Sequence, residues 1–131
     1  MGGTFPKRGS YEYIKERVEY TFFDPKTATK VLVDEVFEIT NNNRKALNII
    51  AIARSAQKHN MREDIVNIKC PTLLVWGLND MITPPEVAHE FDILIPNTTL
   101  KFADKCGHVP MMEQSDFFNV SLREFLENNP I

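Results

Sequence analysis

The chain has 131 residues, 43% of them hydrophobic and 25% charged, with a formal net charge of -3. That is enough for one ordinary domain with a core. The mild acidity, without any lysine/arginine run, excludes a nucleic-acid surface, and no apolar stretch of membrane length or secretory leader points to a membrane.

Met1 to Ser10 is rich in glycine and proline and reads as loop. Ser10 is placed to cap a helix over Tyr11–Tyr20. Asp24-Pro25 is a second start signal, with Pro25 in the first turn of a helix from Thr27 or Ala28 to Ile39. Val31, Leu32, Val36 and Ile39 recur there at helical spacing, which makes them the expected inner face. Thr40-Asn41-Asn42-Asn43 stops that helix. A third runs from about Arg44 to His59, with Leu47, Ile50, Ile52 and Ala53 expected inward. No strand signal occurs up to about Asn60.

After Met61 the texture changes. Ile65–Lys69 reads as a connector of about one turn. Thr72–Trp76 is a short apolar run, partly β-branched, with the character of a strand buried on both faces. Gly77 breaks it and Asn79-Asp80 turns the chain. Pro84-Pro85-Glu86 opens a helix to about Leu94, with Val87, Phe91 and Leu94 on one face and Glu86 suited to its positive end. Thr99–Phe102 alternates as a second short strand. A loop follows, Asp104 to Pro110, and Ser115 is placed to cap a final helix to about Asn128 that carries Phe118, Leu122, Phe125 and Leu126. Strand, loop, helix, strand, loop, helix implies two parallel strands joined by a right-handed crossover.

Each strand is followed by a loop with one useful side chain, Asp80 after the first and His108 after the second. Adjacent parallel strands bring both loops to one sheet edge, where open α/β sheets gather their chemistry. An aspartate that accepts a hydrogen bond from a histidine fixes its tautomer and stabilises its charged form. The histidine can then take a proton from a nucleophile. Asp80 and His108 thus read as a base with its orienting acid, two-thirds of a triad. The competing readings are a turn residue for Asp80 and a plain core or surface histidine for His108. A Cys106–His108 dyad is disfavoured, because residues two apart on one loop rarely point at each other. His59 and His89 are expected on polar helix faces or at helix ends. Cys70 and Cys106 are too few and too far apart for a metal motif, and no histidine pair has zinc spacing. Neither metal nor cofactor is expected, and the setting is expected to be reduced and cytoplasmic.

The segment Ile68–Leu126 resembles the carboxy-terminal part of an α/β-hydrolase. The resemblance rests on Pro71–Gly77, on Asp80 with Thr83-Pro84, on Ile95-Pro96-Asn97, on Cys106-Gly107-His108, and on Phe118 and Phe125. The order acid then histidine agrees with that fold, as does their spacing of 28 residues. By resemblance Asp80 is the triad acid and His108 the triad base. The helices from about Ser10 to Asn60 resemble the lid of these enzymes, most closely that of ring-cleavage-product hydrolases and related small esterases. The resemblance implies an α/β fold: a helical lid (1–67), then the last two parallel strand–helix units of the hydrolase sheet (68–131), an incomplete fold. Gly2–Pro6 would be the loop leaving the strand before the lid.

The nucleophile motif G-x-S-x-G is absent. Ser10, Ser55, Ser115 and Ser121 are the serines present, and none is flanked by glycines in that pattern. The expected function is therefore the carboxy-terminal part of a serine hydrolase that cleaves an ester or carbon–carbon bond of a small apolar substrate. The alternative is a non-catalytic, self-associating fragment or binding module, or a half complemented by a separate nucleophile-bearing chain. Trp76, Met111 and Met112 are candidate substrate contacts, with core packing as the competing role. Tyr11, Tyr13, Tyr20, Phe22 and Phe23 form an aromatic stripe, either lid packing or a substrate roof. An exposed edge of the Thr72–Trp76 strand, or the lid, would favour a homo-oligomer.

Overall fold

The structure is a computed structural model that describes residues 7–59 and 61–130. The loop reading of Met1–Pro6 and the fate of Asn60 lie outside those residues. Helix α1 (Tyr11–Glu19) starts where Ser10 accepts a hydrogen bond from the Tyr13 N–H, the capping expected of a serine there. Ile14 and Val18, one turn apart, face inward. Asp24-Pro25 does start a helix, but only a 3-10 turn, Pro25–Thr27, in which the Asp24 side chain accepts from the Lys26 N–H. Helix α2 (Lys30–Asn41) begins later than expected, capped by Thr29. Asn42 closes α2 and opens α3 (Asn43–Lys58), its side chain accepting from the Lys45 N–H.

The inner faces differ from the periodic reading. The core of the helical region is Ile14, Val18, Phe22 and Val33, with Leu32 and Val36 packed beside it. Val31 and Ile39 are exposed instead. On α3 the buried residue is Ala46, while Leu47 and Ile52 are 63% and 70% exposed and Ala53 is exposed too. Helix α3 packs on α2. The aromatic stripe splits: Phe22 is buried, and Tyr11 meets Phe37 edge-on at 5.3 Å, whereas Tyr20 and Phe23 are exposed.

A one-turn helix, α4 (Arg62–Ile65), lies just before the expected connector. Strands β1 (Thr72–Gly77) and β2 (Thr98–Ala103) pair in parallel with Thr72 opposite Thr98 and Trp76 opposite Phe102. Helix α5 (Pro85–Leu94) connects them. Alternation along the strands sorts the helices between two faces. Trp76 and Phe102 meet Phe91 and His89 of α5. Lys101, on the opposite face from Phe102, is ion-paired with Glu124 of α7 (Ser115–Asn128). Strand β1 is half-buried rather than buried on both faces up to Trp76. The described sheet is two strands wide, so β1 has a neighbour on one edge only.

Two further corrections concern the end of the chain. A short helix α6 (Pro110–Glu113) starts at the last residue of the expected Asp104–Pro110 loop and precedes the final helix. Ser115 is the first residue of α7 and makes no capping hydrogen bond, its place being taken by Gln114. On α7 the buried position is Ser121, while Leu122 and Leu126 are exposed. No helix among the described residues is long and apolar enough to cross a membrane.

Candidate active site

The backbone of β1 ends against the loop that follows β2. The Leu78 N–H donates to Ala103 O at 2.9 Å and the Asn79 N–H to Cys106 O at 2.9 Å. The chain then turns through Asp80. One carboxylate oxygen, Oδ1, accepts the N–H groups of Ile82 at 2.8 Å and Thr83 at 2.9 Å, an Asx-type turn that fixes the side chain. The indole N–H of Trp76 donates to Thr83 O at 2.8 Å and pins the same turn from below. The other oxygen, Oδ2, accepts from His108 Nδ1 at 2.8 Å.

The two partners differ in exposure. The Asp80 side chain is 3% exposed and that of His108 is 40% exposed. An ionised carboxylate only accepts, so the Nδ1 proton lies toward Asp80 and the Nε2 lone pair is left over. Among the described residues Nε2 makes no hydrogen bond. A buried, fully satisfied acid thus holds an accessible base in one tautomer.

The loop that carries His108 is clamped on its other side by residues that sequence reasoning missed. The His108 N–H donates to Thr21 O at 2.8 Å. Glu113 Oε2 accepts from the Gly107 N–H at 2.6 Å, and Oε1 accepts from the Asp24 N–H at 2.8 Å. Glu113 lies five residues beyond His108, on a turn begun by Pro110. That placement was the available signal for a carboxylate folding back over the loop. Glycines fit where backbones touch. A Cβ on Gly77 would collide with the carbonyls of Gly107 and Cys106, and one on Gly107 would lie 2.5 Å from Thr21 O and 2.9 Å from Phe23 N.

The remaining candidates are placed as follows. Trp76 stands beneath the Asp80 turn with its ring 6.2 Å from Phe91. Met111 and Met112 follow His108 on α6, each about half exposed. Cys106 is buried, and burial together with the negative charges of Glu113 and Asp80 pushes its thiol up to about 12. It is a protonated, inert thiol at neutral pH. Cys70 is free and exposed. His59 ends α3 and His89 lies on the exposed side of α5. Among the described residues no group of three or more His, Cys, Asp or Glu side chains could hold a metal ion. A cavity of about 250 Å³ opens between α4 and α5, lined by Met61, Ile65, Val87 and Phe91 and flanked by an Arg62–Glu90 ion pair. Neither Asp80 nor His108 lines it.

Comparison with known proteins places this arrangement. A family model of the α/β hydrolase fold matches residues 10–115. A 2-hydroxy-6-oxononadienedioate/2-hydroxy-6-oxononatrienedioate hydrolase of a Pseudomonas species is 24% identical over 119 residues, covering 89% of this chain and 42% of its own. A pimeloyl-[acyl-carrier protein] methyl ester esterase of Aliivibrio salmonicida is 31% identical over 67 residues, covering 51% of this chain and 26% of its own. Among solved structures, an α/β hydrolase from the sediment metagenome of the Mar Chica lagoon superposes with a TM-score of 0.71 at 44% identity. The match covers 78% of this chain and 47% of that one. The chain spans less than half the length of each of these relatives.

Proposed function

The chain belongs to the α/β hydrolase fold family, and from that premise we propose that it supplies the acid–base arm of a serine hydrolase. The observation that carries this is the contact between buried Asp80 and accessible His108 at 2.8 Å. In the proposed reaction a serine outside these 131 residues attacks a carbonyl carbon, and His108 Nε2 takes its proton. The imidazolium that forms is stabilised by Asp80 through Nδ1. His108 then returns the proton to the leaving group, and in the second half of the cycle it draws one from water. Residues up to 67 serve as the lid and 68–131 as the core segment that bears the pair.

The substrate class is a small apolar ester or a ring-cleavage diketone, in keeping with what the relatives are named for. Met111, Met112 and Trp76 are the proposed lining on the His108 side. The two free cysteines suit a reducing, cytoplasmic compartment.

The test is turnover of a generic aryl ester by the 131-residue chain alone, and then by the chain joined to the nucleophile-bearing half of a family member. The chain alone is expected to be inactive. The joined protein is expected to turn over, and His108→Ala to lower its kcat by about 10³-fold or more. Turnover by the chain alone that survives His108→Ala overturns the reading.

A second reading has its own motive. Strand β1 bonds only β2 in the described sheet, and an open strand edge is a template for another chain. On that reading the chain self-associates through β1. A clean monomer by light scattering at high protein concentration would rule it out.

A further inference from the structure

Glu113 belongs to neither member of the proposed pair, yet its carboxylate joins the His108 loop to a turn of the helical region. Oε2 takes the Gly107 N–H, adjacent to His108, at 2.6 Å. Oε1 takes the Asp24 N–H, in the turn that leaves α1, at 2.8 Å. With the direct backbone bond from the His108 N–H to Thr21 O, two hydrogen bonds join residues 21–24 to 107–113 and a third, Gly107 to Glu113, braces the loop itself. Both carboxylate oxygens are thus in use, each on a main-chain donor. The geometry is a two-pronged clamp, with one prong on its own loop and the other across the seam between the helical region and the strand–helix segment.

We propose that Glu113 is a positioning residue: it locks the His108 loop onto the Thr21–Asp24 turn, so that the hold of His108 on Asp80 weakens when that turn lifts. This rests on reading Asp80 and His108 as the functional pair. The physical reason is geometric. Asp80 is held independently by Ile82, Thr83 and Trp76, so the acid stays in place when the turn lifts. The loop that carries His108 is tied to β1 through Cys106 O, which accepts the Asn79 N–H, but the two N–H groups next to the imidazole are bonded elsewhere, that of Gly107 to Glu113 and that of His108 across the seam to Thr21. A carboxylate serves here because both partners are donors and it presents two acceptors. A glutamine offers one acceptor, and its NH₂ would face an N–H.

The experiment is NMR on the isotopically labelled chain, following the His108 Hδ1 proton and amide exchange at Asp24, Gly107 and His108. In the wild type these four protons are expected to exchange through one opening event, with a common opening constant. Glu113→Gln is expected to raise exchange at Asp24 and Gly107 by about 10- to 100-fold, the loss of a hydrogen bond to a charged group. It is also expected to broaden or abolish the Hδ1 signal. Ala88→Gly, in α5 and outside the clamp, lowers helix stability but should leave Hδ1 in place. Unequal opening constants in the wild type overturn the clamp without recourse to any variant. An Hδ1 signal unchanged in Glu113→Gln, while Gly107 loses protection, reduces Glu113 to a structural contact and leaves the Asp80–His108 pair standing. Asp80→Asn separates the two ideas: it must remove the Hδ1 hydrogen bond, and if Hδ1 is unaffected the pair itself falls.

Discussion

Residues 72–128 fold two helices over the opposite faces of a short parallel ladder, whereas residues 11–58 stack α1 on α2 and leave α3 largely in solvent. In the first region position is set by backbone contacts: the ladder, the Leu78 and Asn79 bonds, and bare glycine against carbonyl. In the second it is set by four buried side chains, Val33 among them. A region held by main chain has little freedom in where its loops go. A region held by one small cluster keeps its helices but leaves their faces loosely determined.

The contrast is broken most severely where the main chain has no room. Gly77→Ala and Gly107→Ala are each expected to cost about 3 kcal/mol or more, because the colliding atoms are backbone and cannot rotate away. Urea unfolding measures this. Gly107→Ala should also separate the two regions, seen as lost protection at Thr21–Asp24. Next comes Val33→Ala at the centre of the helical core, expected to cost about 2 kcal/mol. Leu47→Ala on exposed α3 should stay within about 0.5 kcal/mol. Equal effects at Val33 and Leu47 would mean that α3 is covered in solution.

Cysteine chemistry sharpens the same contrast. Cys106, buried beside Glu113, should resist alkylation at pH 8 while exposed Cys70 reacts. Its folded value of about 12 stands above the ordinary 9.0. The stability it contributes is therefore complete below the unfolded value and is lost as pH rises from there through the folded value. Cys106→Ala should flatten that alkaline loss in a pH series of unfolding curves. The smallest effect is expected in the helical region. Asp34 is held below the usual carboxylate range by Lys30 and then Tyr11. Its contribution is present above the ordinary value of 3.8 and fades as pH falls below it. Asp34→Asn should remove a slight acid-side destabilisation.

Legibility in the sequence follows the same division. The strands, their parallel order and the meeting of Asp80 with His108 could be read from residues 68–128, because strand length, Gly77 and the two loops leave few arrangements. Helix existence could be read from residues 10–59, but not helix orientation. Periodicity on α3 points to Leu47 and Ile52, whereas the buried residue is Ala46. Glu113 and Thr21 escaped because their partners are backbone N–H groups 89 and 87 positions away in the chain. Side-chain patterns carry no record of such bonds. Nothing in the periodicity of β1 announced its half-burial either, since the width of a sheet is not written in any one strand.

The stack at Gly77, Gly107 and the turn at Thr21–Phe23 bears on how such a protein can change over evolutionary time. Three stretches of main chain lie in direct contact there, with no side chain between them to trim or enlarge. Change cannot proceed by adjusting that seam one methyl at a time. It is free to proceed on α2 and α3, whose exposed residues touch neither the glycines nor the Asp80 turn. The molecule thus divides into a part whose sequence can drift and a part with no space for one more carbon atom, and Asp80 and His108 sit in the second.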